Sequence, residues 1–286
     1  MVQARTSGTT VGVTPRRRRL LTALGVVVAV LLAATVADAL VAARAEHRIS
    51  ERIYRDAHLA SPPAVEVTGF PYLGAVLSHE VPSVSVQAND VDVPGFGLVS
   101  VTSSAQKVTL PTDAVVSGSF TDAPARKVFT SLRLDGVAVG RRMGVDDLLI
   151  QAKDDISPQG GWETEAVFEG TPRGFSEPAA VEMRLRIREG NVHIVPTRVI
   201  RAPRDTGPRA PSVDGADLDP ALTRQIMDTF RLDIPGSSFP LRSRPSRIYT
   251  SGGSVTVETE QLYTRVSVSD LAPRGRDLTE DETPGL

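Results

Sequence analysis

The 286-residue chain contains no cysteine. That absence excludes disulfide scaffolds, thiol nucleophiles, zinc–thiolate sites and iron–sulfur clusters, and with them any N-terminal lipid carried on a cysteine. Aromatic residues are scarce at 5%, with one tryptophan. Charge of one sign is missing too: 32 Lys and Arg stand against 34 Asp and Glu, a formal net charge of -2. A dedicated nucleic-acid binder needs a clear basic excess, so no nucleic-acid partner is expected. Nor does the chain carry a G-x-S-x-G elbow, a phosphate loop or a G-x-G-x-x-G turn behind any strand. The four histidines, His47, His58, His79 and His193, have no metal-ligand spacing among them. Neither a metal nor a cofactor is expected, and the chain does not read as an enzyme.

What charge there is lies unevenly. Residues 1–55 hold nine arginines against three carboxylates, net +6, which leaves the other 231 residues at -8. Arg16 to Arg19 run directly into 18 uncharged residues, 20–37. As a helix that run spans about 27 Å, and about 36 Å when extended past Asp38 to Ala43. It is apolar on every side, unlike the amphipathic helix of a soluble core. The expectation is a basic cytoplasmic N-terminus (1–19), a transmembrane anchor or uncleaved signal (20–43), an extracytoplasmic body (44–269) and a disordered tail (270–286). Arginines ahead of the apolar run place the N-terminus in the cytoplasm and Asp38 near the far interface. Ala37-Asp38-Ala39 fits a signal-peptidase site. The run is nevertheless longer than a usual signal core and continues smoothly into ARAEHRISERIYRDAHL, which favours a retained anchor.

The body reads as antiparallel β-structure with one greasy and one wet face. In VEMRLRIR, Val181, Met183, Leu185 and Ile187 point one way and Glu182, Arg184, Arg186 and Arg188 the other. Glu189-Gly190-Asn191 then turns the chain into Val192–Val195. Further strands are expected at 65–67, 84–88, 98–101, 108–110, 132–139, 162–168, 248–249, 254–259 and 263–268. Short helices are expected at 70–78, at 144–153, and from Pro220 with Asp219 as its cap. Residues 201–215 read as a loop.

Chemistry is sparse. Asn89-Asp90-Val91-Asp92 begins like a calcium loop without its closing glutamate. Asp146-Asp147 and Asp154-Asp155 are acidic pairs that suit turns and a helix start. Arg141 and Arg142, with Arg133 nearby, could meet a lipid phosphate through bidentate bonds. Solvated outer faces explain such arginines equally well.

One stretch is more specific. Val65 to Gly95, with Gly69-Phe70-Pro71-Tyr72-Leu73 followed by the strand Val84 to Val91, resembles the signature region of the LmeA-like family of actinobacterial phospholipid-binding envelope proteins. Ile234 to Glu260 is similar to that family's closing hairpin, and the resemblance runs from about residue 16 to 269. Tyr72 stands where the family often has Phe, and His79-Glu80 where a small residue is common. The resemblance implies an α+β fold of tubular type, in which an elongated, curved, mostly antiparallel sheet wraps short helices around an apolar groove. It implies phospholipid as ligand, the cytoplasmic membrane as partner, and a role in maintaining mannosylated envelope glycolipids. Acyl methylenes would bind by burial, at about 0.8 kcal/mol each. Candidate groove residues are Phe70, Tyr72, Leu73, Leu77, Phe230 and Phe239, with Arg141 and Arg142 toward the headgroup. The competing readings are a non-catalytic envelope scaffold with a fully packed β core, and a hydrolase whose residues meet only in three dimensions.

Overall fold

The computed structural model describes residues 15–57, 59–69, 71–72, 74–153, 161–203 and 218–272. The loop expected at 201–215 and the tail expected from 270 fall mostly outside this set, as do Asp154 and Asp155.

Helix α1 (Pro15–Asp56) is one continuous rod of 42 residues. From Arg19 it is long and apolar enough to cross a membrane, and none of its apolar window is buried. Its second half changes character because Ala45, Ile49, Ile53 and the following Ala57 recur every four residues and are all buried. That spacing keeps them on one stripe, which packs on the body. The helix ends at Asp56, a few residues before Pro62 and Pro63, which cannot continue it.

Two antiparallel sheets form the body. The first has the order β1 (Ala64–Thr68), β2 (Glu80–Val93), β3 (Gly97–Thr109), β4 (Ala123–Asp135), β11 (Ser254–Val266) and β10 (Arg247–Ser251). The second has β5 (Leu149–Ala152), β6 (Glu163–Gly170), β7 (Ala179–Arg188), β8 (Asn191–Arg201) and β9 (Leu232–Ile234). They meet at the β10 edge, where the Ile248 amide donates to the Gly161 carbonyl at 2.9 Å. Neither sheet closes into a barrel, so the fold is α+β with antiparallel sheets and an N-terminal apolar helix. The β7 alternation holds from Val181 to Leu185, and the Glu189-Gly190 turn joins β7 to β8.

Several short expected strands are parts of long ones: 98–101 and 108–109 are both β3, with Leu110 just beyond it, and 254–259 and 263–266 are both β11, with 267–268 beyond it. The segments split in the sequence because polar residues interrupt the apolar alternation, Thr102 to Ser104 with Gln106 and Lys107 in β3, and Glu260 and Gln261 in β11. Two expectations are corrected. The strand expected through 139 ends at Asp135, whose carboxylate accepts the Ala138 amide at 2.8 Å and starts α4 (Gly136–Met143). The helix expected at 144–153 is therefore displaced one segment earlier. Gly144, at φ +75°, terminates α4 in the left-handed conformation, and Leu149–Ala152 forms β5. Helix α2 (Gly74–Ser78) is one turn of the expected two. Helix α3 (Thr112–Ser117) follows β3. Helix α5 (Pro220–Phe230) begins at Pro220 as expected, although the Asp219 side chain makes no capping bond; its carbonyl accepts the Thr223 amide instead.

Candidate functional site

The first sheet has two unlike faces, and register shows how they arise. On one face Ala88, Val101, Leu132 and Val257 align across four strands, and Val84, Ala105 and Val128 across three. These side chains are buried. The opposite face carries Gln87, Thr102, Ser131 and Glu258 in one row, and Ser100, Arg133 and Thr256 in the next. A strand alternates its side chains, so the serines and threonines that interrupt the apolar pattern in sequence form one continuous hydroxyl surface in space.

This surface holds a cavity of about 620 Å³, within the usual range for small-ligand sites. Arg133, Asp135, Tyr249 and the hydroxyls of Ser100, Thr102, Ser131, Ser254 and Thr256 line it, with Leu98 and Val99 as its aliphatic members. Arg133 Nε donates to Ser254 Oγ at 3.1 Å, and its terminal nitrogen to the Gly252 carbonyl at 3.3 Å. The β10–β11 hairpin thus holds a guanidinium at the rim. The Tyr249 hydroxyl donates to Glu258 Oε1 at 2.9 Å. Burial and that carboxylate together raise its pKa, so Tyr249 enters the cavity as a neutral phenol. Such a lining recognises a polar group with many hydrogen-bonding atoms, and Arg133 adds a fork suited to a phosphate or carboxylate.

The residues singled out from sequence divide between two ends of the molecule. Phe70 and Leu73 lie outside the described residues. Tyr72 is buried where α1 meets the body, its hydroxyl donating to the Val115 carbonyl at 2.6 Å. Its amide donates to Asp38 Oδ2 at 2.9 Å, so Asp38, expected at a membrane interface, is a buried acceptor of the body. Burial, then the nearby Glu46 charge, push the Tyr72 phenol up to about 12. Leu77 is 86% exposed. Phe230 is buried at the end of α5. Phe239 is buried at the other end of the first sheet, stacked on Phe96 with ring centroids 5.6 Å apart. The Arg142 guanidinium lies over the Phe96 ring, 4.8 Å from its centroid. Arg141 approaches Gly97. These residues therefore form no single groove: Phe239 and Arg142 come together through Phe96, while Tyr72 and Leu77 lie at the anchor end.

Sequence reading missed Phe96 and the hydroxyl face. An aromatic flanked by Gly95 and Gly97 in a tight turn was a signal for the first. The second needed the register of five strands.

Other polar groups look structural. Asp147 accepts the Thr171 amide and hydroxyl, both at 2.7 Å; partial burial opposes its ionisation, but these bonds prevail and hold its pKa low. Lys153 sits between Glu165 and Glu182 on the outer face of the second sheet, and those bonds raise its pKa. Asn89 and Asp92 belong to β2, and among the described residues no cluster of three or more His, Asp or Glu could hold a metal.

Neither the curated proteins nor the solved structures gave a match to this chain. A family model described as LmeA-like phospholipid-binding matches residues 36–260. The match begins two residues before Asp38 and ends inside β11, so it takes in both sheets, the second half of α1 and the cavity. The chain belongs to the LmeA-like phospholipid-binding family.

Proposed function

We propose that this chain is a single-pass membrane protein whose extracytoplasmic body binds phospholipid and catalyses no reaction. The observation that carries the reading is the family match over residues 36–260. The anchor half rests on the sequence, where Arg16–Arg19 precede the apolar run and orient it with the N-terminus inside. The bond between Asp38 and Tyr72 favours a retained anchor. Cleavage after Ala39 would take away Asp38 and leave a buried amide without that acceptor.

For the ligand, the hydroxyl-lined cavity suits the polar head, with Arg133 toward the phosphate. Arg141 and Arg142 lie near the far turn of the same sheet and serve as a second basic contact. Acyl chains need apolar surroundings, and the proposed groove residues are Phe70, Tyr72, Leu73, Leu77, Phe230 and Phe239. The buried members Tyr72, Phe230 and Phe239 pack in the core at separate places, so chain binding at any of them requires the core to open locally; at Tyr72 that means the layer between α1 and the body. A part in envelope glycolipid maintenance is consistent with such a protein.

The packed core favours a second reading, a non-catalytic scaffold that positions other envelope proteins. Native mass spectrometry of the full chain in mild detergent, followed by organic extraction, separates the two. A stoichiometric phospholipid supports binding, and a chain that stays lipid-free after incubation with phospholipid vesicles refutes it. Arg133→Ala is expected to weaken lipid retention about ten- to a hundredfold, since a hydrogen bond to a charged group contributes about 1.5–3 kcal/mol.

A further inference from the structure

Three hydrogen bonds fix how the body is mounted on α1. Ser50 Oγ donates to the Pro63 carbonyl at 2.6 Å, the Val67 amide to Glu46 Oε1 at 2.9 Å, and the Tyr72 amide to Asp38 Oδ2 at 2.9 Å. The helix partner moves back toward the apolar run as the other partner moves forward, so β1 descends α1 toward the membrane. Strand β2 pairs antiparallel with β1, Thr68 opposite Ser83, and its start at Glu80 lies beyond that pair. From Ser83 to Glu80 is about 10 Å of strand. From Glu46 to Asp38 is about 12 Å of helix. The start of β2 therefore lies near the height of Asp38, one residue from the end of the apolar run.

Helices α2 and α3 cap this end, and the Leu110 amide at the α3 entrance donates to the His79 carbonyl just after α2. Both place apolar side chains in water: Leu77 is 86% exposed and Val116 46%. One strand row higher, Lys107, Arg126 and Tyr263 adjoin across β3, β4 and β11. The ladder pairs residues on either side of them, Gln106 with Lys127 and Leu262 with Lys127, then Val108 and Thr264 with Ala125. Lys107 and Tyr263 have left-handed φ values of 50° and 51°, a kink shared by both neighbours of β4. Tyr263 is 80% exposed there.

The geometry points to this end of the body as a second membrane contact. Leu77 and Val116 enter the acyl boundary, while Lys107, Arg126 and Tyr263 lie in the headgroup layer of the bilayer that α1 spans. Apolar side chains lie at the capping end, and a tyrosine and two cations sit back from it, Lys107 by two residues or about 7 Å of strand from the end of β3; this order matches the layering of a bilayer, whose headgroup zone is about 5–8 Å thick on each side. Glu80 and Asp113 share this end, so apolar insertion contributes more than net charge. The body then stands on the membrane surface that supplies its ligand. This inference rests on the reading of residues 20–43 as a membrane anchor.

The absence of cysteine makes the test direct. Full-length single-cysteine variants Leu77→Cys, Val116→Cys, Val30→Cys in the anchor and Leu149→Cys on the second sheet carry an environment-sensitive dye. They are reconstituted in vesicles of phosphatidylcholine and phosphatidylglycerol, with and without brominated lipid. Quenching at positions 77, 116 and 30 but not at 149 is expected. Charge reversal by Lys107→Glu with Arg126→Glu should reduce quenching at 77 in these anionic vesicles and leave it unchanged in neutral ones. Quenching at 30 with none at 77 and 116 overturns the contact and leaves the anchor standing. Loss of quenching at 30 as well overturns the anchor reading itself.

Discussion

Replacing Tyr72 with phenylalanine tests the junction between α1 and the body. The substitution keeps the ring and removes the hydroxyl that donates to the Val115 carbonyl at 2.6 Å. Near neutral pH it leaves a buried acceptor without this donor, a loss of about 1–2 kcal/mol. For a domain of this size, 1 kcal/mol corresponds to about 2–4 °C of melting temperature. The native phenol is pushed up to about 12 by burial and by the Glu46 charge, against 10.0 for the free side chain. A group whose pKa is raised on folding stabilises the fold below its unfolded pKa and loses that contribution as pH rises through the folded one. The native chain should therefore lose about 2 kcal/mol between pH 7 and 11.5 through this residue alone, most of it above pH 10, whereas Tyr72→Phe loses none of it. Thermal melts by circular dichroism, run on both proteins from pH 7 to 11.5, read the difference and cancel every other titration. The native protein should melt several degrees higher at pH 7, and the gap should close or reverse by pH 11.5. A gap constant across that range would refute the buried, hydrogen-bonded phenol.

Three further outcomes follow from local geometry. Asp38→Ala should cost about 1–3 kcal/mol by removing the acceptor of the buried Tyr72 amide, while Asp38→Asn, which keeps an oxygen there, costs less; limited proteolysis near residues 57–72 reads both. Gly140→Ala should destabilise by about 1–3 kcal/mol in thermal melts despite alanine's better helix propensity, because its Cβ would stand 2.2 Å from the Val145 carbonyl. Lys107→Gly should hold or raise the melting temperature, since a left-handed φ of 50° costs a lysine about 1–2 kcal/mol, whereas Gln106→Gly one residue away should lower it.

Local order was legible where one short-range rule decided it. The β7 alternation from Val181 to Leu185 and the Glu189-Gly190 turn needed only the period of two and a glycine free to take positive φ. Pro220 opened α5 because proline fits a first helical turn. The reading slipped where two local signals competed. Leu132–Val139 alternates well, but Asp135 caps a helix in its middle, and the acidic pair at 146–147 drew the helix to the wrong side of Gly144. Asp38 has a partner that no local rule reveals: a carboxylate after an apolar run reads as an interface residue, and only the fold shows Tyr72, 34 positions later, donating to it.

The sequence by itself determined the apolar helix, the antiparallel strands and the family, each written in residues adjacent or nearly adjacent in the chain. The tertiary structure alone decided which hydroxyls line one cavity, that Phe96 joins Phe239 to Arg142, and that Leu77 and Val116 crown the end nearest the anchor. The reason is the pairing of strands distant in sequence. Register brings Thr102, Ser131 and Glu258 into one row, and no periodicity within any single strand specifies which neighbour it will have.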